Sequence, residues 1–458
     1  MMGGTIEIPI WLAVLAGIFA LIAVLDKLLL PSVRWYFRKR FNRAVERLNT
    51  KLQLKIQPFK LTQRKVLIDR LSHDPVIMDA IAKEAAESGT PAEVLAEKAY
   101  KYAREIVPHF SAFAYFGFAA RVARWLSQSL YRVRVGVLDE EGMANIGPDS
   151  TVVFVMNHRS NMDYVLVTYL ASERSALSYA VGEWARVWPL QGFIRSMGAY
   201  FIRRKSRNPL YRCVLARYVQ MATEGGVAQA IFPEGGLSRT GHLGEAKLGL
   251  LSYIVKGFNP EGVRDVVFVP VGLNYDRVLE DRVLLAARGA KGKPKFNAGP
   301  MAVLGFIRHQ IWLRLTGKYH RFGYACVSFG APVSLKGFLN RTEGALADQI
   351  AALGVSLMDD IGKVVPVLPV SLIASIMLKA GSLSKIGVKG AAHRRLQDYA
   401  ARGVYSHIPR EDEDYAVDVG IRMLEMRHIL TEADGVYTVS EENREVLEYY
   451  ANAIAHLG

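Results

Sequence analysis

Thr151-Val152-Val153-Phe154-Val155-Met156-Asn157-His158-Arg159-Ser160-Asn161-Met162-Asp163-Tyr164 is the stretch from which the rest of the chain is read. Its first six residues are β-branched, aromatic or otherwise apolar, as a buried strand requires. Ser160 to Asp163 has the S-x-x-D form of a helix start, and Tyr164 to Leu170 can continue that helix. His158 then stands at the carboxyl end of a strand, where open α/β sheets hold ligands. Asp163, in the first helical turn, can reach one ring nitrogen, fix the tautomer and leave the other nitrogen free as a base. A plainer reading makes Asp163 the N3 partner of a capping box and His158 a polar residue closing a strand.

Short apolar strands alternate with helical stretches from Val133 onward, which makes the region α/β. The pattern places strands at 133–138, 151–156, 177–181, 199–202, 228–232, 266–271 and 324–329. Val266 to Val269 is apolar without a break, as suits a strand covered on both faces. Earlier, apolar residues such as Leu67, Leu71, Ile77 and Ile81 recur at helical spacing. Gly89-Thr90-Pro91 interrupts them, and Thr90 with Glu93 can start the next helix. Phe110 to Tyr131 is aromatic-rich and punctuated by Arg121, Arg124 and Arg132; it reads as core, with a membrane interface as the alternative. After about 345 the chain is mostly helical. Val364 to Leu378 is too short for a comfortable span and holds Pro366 and Pro369, so it is assigned to the core. Thr438 with Glu441 is expected to start a last helix running to about Leu457.

At 458 residues, with 51% hydrophobic and 22% charged residues, the chain has ample core and is not disordered. Cys213 and Cys326 make neither a disulfide framework nor a metal site, and suit a reducing compartment. The net charge of +15 calls for an anionic partner: nucleic acid, anionic lipid, a phosphorylated substrate or an acidic carrier. The N-terminus narrows this choice. Ile8 to Leu25 carries no charge, and at ~1.5 Å per residue it just reaches the ~30 Å hydrocarbon core. Glu7 precedes it, while Lys27, Arg34, Arg38, Lys39, Arg40 and Arg43 follow. The positive-inside rule puts the N-terminus outside and everything after residue 30 in the cytoplasm. A cleaved signal peptide would need a basic start, which is missing. Four regions result: a membrane anchor with its basic segment (1–45), a helical domain (46–132), an α/β domain (133–345) and a helical C-terminal region (346–458).

Three further blocks follow the first. Gly198-Ala199-Tyr200-Phe201-Ile202-Arg203-Arg204-Lys205 is a strand ending in three cations, able to hold a phosphate by charge-assisted bonds or to form a solvated loop. Ile231-Phe232-Pro233-Glu234-Gly235-Gly236-Leu237-Ser238-Arg239-Thr240-Gly241 runs from a buried strand into glycines that let the backbone approach a ligand. Val269-Pro270-Val271-Gly272-Leu273-Asn274-Tyr275-Asp276-Arg277-Val278 is a strand ending in polar and charged groups. In order and spacing, the four resemble the blocks of the glycerol-3-phosphate acyltransferase family, which includes the dihydroxyacetone-phosphate enzymes: H-x-x-x-x-D, F-I-R-R, E-G-G-x-S-R-T-G and P-V/I-x-x-x-Y-D-R-V. The helical segment from about 60 to 130 and the closing Tyr449-Tyr450-Ala451-Asn452-Ala453-Ile454-Ala455-His456-Leu457 also look like the bacterial membrane-bound members, although this chain is shorter than the long bacterial enzymes.

The resemblance implies an acyltransferase-type mixed sheet with flanking helices in 133–345. It implies a membrane-bound enzyme of phospholipid synthesis that moves an acyl group from acyl-CoA or acyl-carrier protein to the 1-hydroxyl of glycerol 3-phosphate. His158 would be the base and Asp163 its orienting partner. Substrate binding would fall to Arg203, Arg204, Glu234, Gly235, Gly236, Ser238, Arg239, Pro270, Tyr275 and Asp276. Anionic lipids are expected partners; no metal, bound cofactor or nucleic acid is. The family usually has Arg or Lys where this chain has Leu237, a cation expected to help hold the acceptor's phosphate. Its absence leaves Arg203, Arg204, Lys205 and Arg239 for that task and keeps lysophosphatidate open as an acceptor. A hydrolase is the remote alternative, since no G-x-S-x-G elbow is present. A silent scaffold or nucleic-acid binder is disfavoured by charge spread along the chain without a recognisable motif. The basic loop Arg288 to Lys295 lacks Walker A spacing and reads as a solvated loop or an anion contact.

Overall fold

In the computed structural model, the apolar runs of the central region line up as neighbours in one sheet. The structure describes residues 56–171, 176–182, 190–203, 206–289 and 320–458, with scattered positions between 305 and 316. The expected span at 8–25, its basic flank, Arg204, Lys205 and most of the basic loop at 288–295 lie outside the described residues. Among those described, no helix is long and apolar enough to cross a membrane.

The sheet contains β1 (Arg132–Leu138), β2 (Thr151–Met156), β3 (Ser178–Val181), β4 (Tyr200–Phe201), β5 (Gln229–Ile231), β6 (Val266–Tyr275), β7 (Tyr324–Phe329) and β8 (Val333–Ser334). Its order is β1-β7-β6-β2-β5-β3-β4, with β8 paired to β6. Strands β6, β2, β5, β3 and β4 run parallel, while β7 and β8 run antiparallel to β6. The sheet is therefore mixed. Every residue of β2 and β6 is buried, as their largely apolar sequences require. Pro270 sits in mid-β6 where pairing on one edge passes from β8 to β7, a position at which a missing N–H breaks no ladder bond on that edge.

Ten helices matter here: α1 (Arg64–Ser72), α2 (Pro75–Ser88), α3 (Ala92–Ile106), α4 (Ala120–Leu130), α5 (Met162–Ala171), α6 (Pro209–Glu224), α7 (Leu346–Val364), α8 (Pro369–Ala380), α9 (Glu413–Glu425) and α10 (Arg444–Ala451). Asp74 caps α2 by accepting the Val76 N–H at 3.1 Å, and Gly89 ends it in the left-handed region. Leu71, Ile77, Leu95 and Ile106 of α1–α3 share one core with Val153 and Phe268 of the sheet and with Leu353 and Ile361 of α7. Residues 57–458 thus form one compact unit. Phe110 to Tyr131 is divided: Tyr115, Ala119, Ala123 and Leu130 are buried, whereas Phe118 and Trp125 are 57% and 63% exposed.

Two expected helix starts differ from the structure. Pro91 takes the cap position of α3, and the Thr90 hydroxyl accepts from Ser88 instead. Thr438 lies in a strand: β10 (Leu430–Ala433) and β11 (Val436–Val439) form a hairpin, and β11 also pairs with β9 (Ser382–Ser384). Asp434 and Gly435, both at positive φ, make the two-residue turn favoured between antiparallel strands. The last helix starts only at Arg444.

Candidate active site

The end of β2 is fixed before the chain leaves the sheet. Asn157 donates from Nδ2 to the Leu273 carbonyl at 2.9 Å and accepts the Leu273 N–H at 2.8 Å, extending the β2–β6 ladder with a side chain. His158 follows at once. Its N–H donates to Glu234 Oε1 at 2.8 Å, and its carbonyl accepts the Ser238 N–H at 2.9 Å. The imidazole Nδ1 donates to Asp163 Oδ2 at 2.9 Å, with both side chains buried. One face of the ring stacks on Phe232 at 4.1 Å between centroids, and Tyr164 meets it edge-on at 5.4 Å. The ring cannot swing without displacing this packing.

Asp163 satisfies both readings of the sequence. As a capping residue, its Oδ2 accepts the N–H groups of Arg159 (2.8 Å) and Ser160 (3.0 Å). As an orienting carboxylate, the same oxygen holds His158. Its Oδ1 accepts the Tyr275 hydroxyl at 2.7 Å, so the fourth block stands directly behind the first. Four donors thus converge on this buried carboxylate, and they fix its orientation against the imidazole.

The third block is a braced loop. Glu234 Oε1 and Oε2 accept the N–H groups of His158 and Gly244, the second at 3.1 Å; burial pushes this carboxyl up, and the two bonds oppose the shift. Ser238 donates to the His242 carbonyl and accepts the Gly241 N–H. Gly241 lies at φ +87, and a Cβ there would sit 2.0 Å from the Tyr449 carbonyl oxygen, so only glycine lets the loop rest on α10. Asn452 completes the seat by donating to the Thr240 carbonyl at 2.8 Å.

Beside this loop is a cavity of about 460 Å³. Phe232 and Gly235 form its wall towards His158, and Arg203, Arg212 and Lys247 bring positive charge to it. Gly235 lies at φ +65, with the Lys247 chain 2.9 Å from where a Cβ would be. Arg203 pairs through two bonds with Glu105 of α3, at 2.8 and 2.5 Å, and its guanidinium lies over Tyr102 and Tyr211.

Other residues singled out in the sequence lie elsewhere. Arg239 is exposed and donates to the Ala287 carbonyl at 3.3 Å; it does not line the cavity. Asp276 is buried, accepts the N–H groups of Tyr324 (2.8 Å) and Val370 (3.0 Å), and joins β7 to the start of α8; burial pushes its carboxyl up to about 7. Pro270 is mid-strand, and Gly236 is in the third-block loop. Burial raises the Cys326 thiol to about 12, which makes it a poor nucleophile.

Lys247 and Glu280 did not stand out in the sequence. Lys247 follows Gly244-Glu245-Ala246 as an isolated cation, and only the return of the loop brings it across Gly235. Glu280, two residues beyond the fourth block, is brought to the His158–Asp163 turn by the same strand end that supplies Tyr275.

A buried His–Asp pair at a parallel strand end, backed by a glycine-bearing loop and a cationic cavity, defines the class: an acyltransferase fold of the H-x-x-x-x-D kind. Residues 137–274 match the family model described as acyltransferase, and residues 307–457 match that of the glycerol-3-phosphate acyltransferase C-terminal region. The glycerol-3-phosphate acyltransferase of Ectopseudomonas mendocina (strain ymp) is 30% identical over 423 residues, covering 87% of this chain and 49% of that one. That of Pseudomonas entomophila (strain L48) is 28% identical over 427 residues, with the same shares. A solved structure, the 1-acyl-sn-glycerophosphate (LPA) acyltransferase of Thermotoga maritima, matches 65% of this chain and 98% of its own at 19% identity and a TM-score of 0.32, too slight a likeness to argue from. Both family models and these relatives make the chain similar to glycerol-3-phosphate acyltransferases. It spans about half the length of the curated relatives it matches.

Proposed function

We propose that this protein transfers a fatty acyl group from a thioester, acyl-CoA or acyl-carrier protein, to the 1-hydroxyl of glycerol 3-phosphate. The observation that carries the proposal is the buried His158–Asp163 pair, its imidazole locked between Phe232 and Tyr164 beside a cationic cavity. With Nδ1–H held by Asp163, Nε2 carries the free lone pair. It takes the proton of the acceptor hydroxyl as that oxygen attacks the thioester carbonyl. Asp163 stabilises the imidazolium formed. Collapse of the tetrahedral intermediate leaves the new C–O bond, breaks the C–S bond, and passes the proton from His158 to the departing sulfur. The substrate alcohol is the nucleophile, so no acyl-enzyme forms.

Lys247 takes over the phosphate role that Leu237 cannot fill, together with Arg212 and the exposed edge of Arg203. Lys247→Ala is expected to raise KM for glycerol 3-phosphate by ~10–100-fold with kcat little changed, the loss of one charge-assisted bond. Steady-state kinetics at varied acceptor concentration check this. An unchanged KM removes Lys247 from the site.

The acyl chain is assigned to an apolar chamber of about 260 Å³ on the other side of Tyr164. Ala119, Val122, Ala123 and Leu126 form one wall, Tyr164 and Val165 another. Thr168 and Tyr179 in its lining are hydrogen-bonded to each other. Each buried methylene contributes about 0.8 kcal/mol, so space lost for two of them changes chain preference roughly tenfold. Ala123→Phe is therefore expected to shift preference towards shorter donors by about that factor, as read by competition between two acyl-CoA lengths.

The anchor at 8–25 and the cations after it support a bilayer location with the catalytic region in the cytoplasm. Acceptor identity is tested by offering glycerol 3-phosphate and lysophosphatidate together to the purified full chain. A product formed only from lysophosphatidate would make Leu237 the mark of a changed acceptor.

A further inference from the structure

Glu280 is a buried carboxylate with no part in the chemistry above. It is 5% exposed and stands just ahead of a helix beginning at Asp281. Its Oε2 accepts the Ser160 hydroxyl at 2.9 Å, and its Oε1 accepts the Asn161 N–H at 2.6 Å. Ser160 in turn accepts the Met162 N–H at 3.1 Å and offers its carbonyl to the Asp163 N–H at 3.0 Å. The turn between His158 and Asp163 is therefore gripped from two sides. Asp163 holds its amides from within, and Glu280 holds it from outside. Burying a second carboxylate so near Asp163 is unfavourable, and burial raises the Glu280 carboxyl. Such a group persists where the bonds it makes fix something that matters.

Glu280 is itself anchored from the far end of the chain. The Tyr450 hydroxyl of α10 donates to Asp281 Oδ2 at 2.5 Å and accepts the Val278 N–H at 3.0 Å. Arg427 adds a bond from Nη2 to the same Asp281 oxygen at 2.6 Å. A continuous path of hydrogen bonds and covalent chain thus runs from the C-terminal region, through 278–281, to the turn that aims His158.

We propose that Glu280 is a positioning residue for the acyl-transfer site: its two bonds to Ser160 and Asn161 set the geometry of the His158–Asp163 turn and couple it to the C-terminal region. This inference rests on the acyltransferase reading, and a second readout makes it testable apart from that reading. Leu removes both acceptor oxygens while keeping bulk; Gln keeps one acceptor for Asn161 and can donate to the Ser160 hydroxyl. Misplacement of a reacting group by about 1 Å costs roughly 10²-fold.

The test uses the purified full chain in detergent with Glu280→Leu and Glu280→Gln. Glu280→Leu is expected to lower kcat roughly 10²-fold with both KM values within about twofold, and Glu280→Gln to recover most of the loss. Amide hydrogen exchange across 158–163 is expected to quicken in Glu280→Leu and not in Glu280→Gln, with or without turnover. Wild-type kcat and unchanged exchange in Glu280→Leu would overturn the inference. So would an equal loss in both variants accompanied by a general fall in Tm, the mark of a merely structural residue. A wild-type protein that transfers no acyl group defeats the acyltransferase reading, while the exchange measurement still decides whether Glu280 holds the turn.

Discussion

Replacing His158 by alanine is expected to lower acyl transfer by ~10²–10⁴-fold, the range that a positioned general base supplies. The fold should survive. His158 is bound to the scaffold mainly through its backbone, by Glu234 on one side and Ser238 on the other, and those bonds do not need the imidazole. The substitution leaves a small void beside Phe232 and Tyr164 and one unpaired face of Asp163, a cost of a few kcal/mol at most. KM for glycerol 3-phosphate should change little, because the phosphate site proposed above is the set of cations in the adjoining cavity, not the imidazole. Turnover and circular dichroism on the same preparation check both halves. Activity within tenfold of wild type would remove His158 from the base role.

Asp163→Asn has the second large effect and separates charge from shape. The amide oxygen can take the place of Oδ2 and keep the bonds from His158, Arg159 and Ser160. The amide nitrogen then faces Tyr275, whose hydroxyl can turn from donor to acceptor. The turn is therefore retained, while the negative charge that stabilises the imidazolium is gone. For so buried a pair this is expected to reduce kcat by about 10³–10⁴-fold with KM values preserved. A kcat loss of only a few-fold would mean that Asp163 is a cap and nothing more.

What the sequence made legible follows from how local each feature is. β2 and β7 are largely apolar runs, and the structure has them at the expected residues. The His158–Asp163 bond was legible because both partners lie within one turn. The mixed character of the sheet became evident only through pairing, since no local pattern says that β7 opposes β6. Thr438 carries S/T-x-x-E spacing yet lies in a strand, because Asp434-Gly435 just before it forms a hairpin turn that outweighs the helix-start signal. The bracing roles of Glu234 and Ser238 and the ties of Asp276 depend on backbone groups brought near by loops, which side-chain identity does not encode. Glu280 and Lys247 belong to the same class: single charges given meaning only by the return of a distant segment.

The chain spans about half the length of the curated relatives it matches, and its α10 together with Asn452 just after it touches the surroundings of three of the four blocks. Tyr449 lies under Arg159, Asn452 holds Thr240, and Tyr450 holds Val278. The C-terminal region is therefore part of the site's construction rather than an appendage.

The most direct test is acyl transfer by the purified, detergent-solubilised full chain, given labelled glycerol 3-phosphate and palmitoyl-CoA beside His158→Ala. The account predicts 1-acyl-glycerol 3-phosphate and stoichiometric free CoA from the wild type, and ~10²–10⁴-fold less of both from the variant. Free palmitate released in a His158-dependent way, with no labelled lipid formed, would contradict it and make the protein a thioester hydrolase.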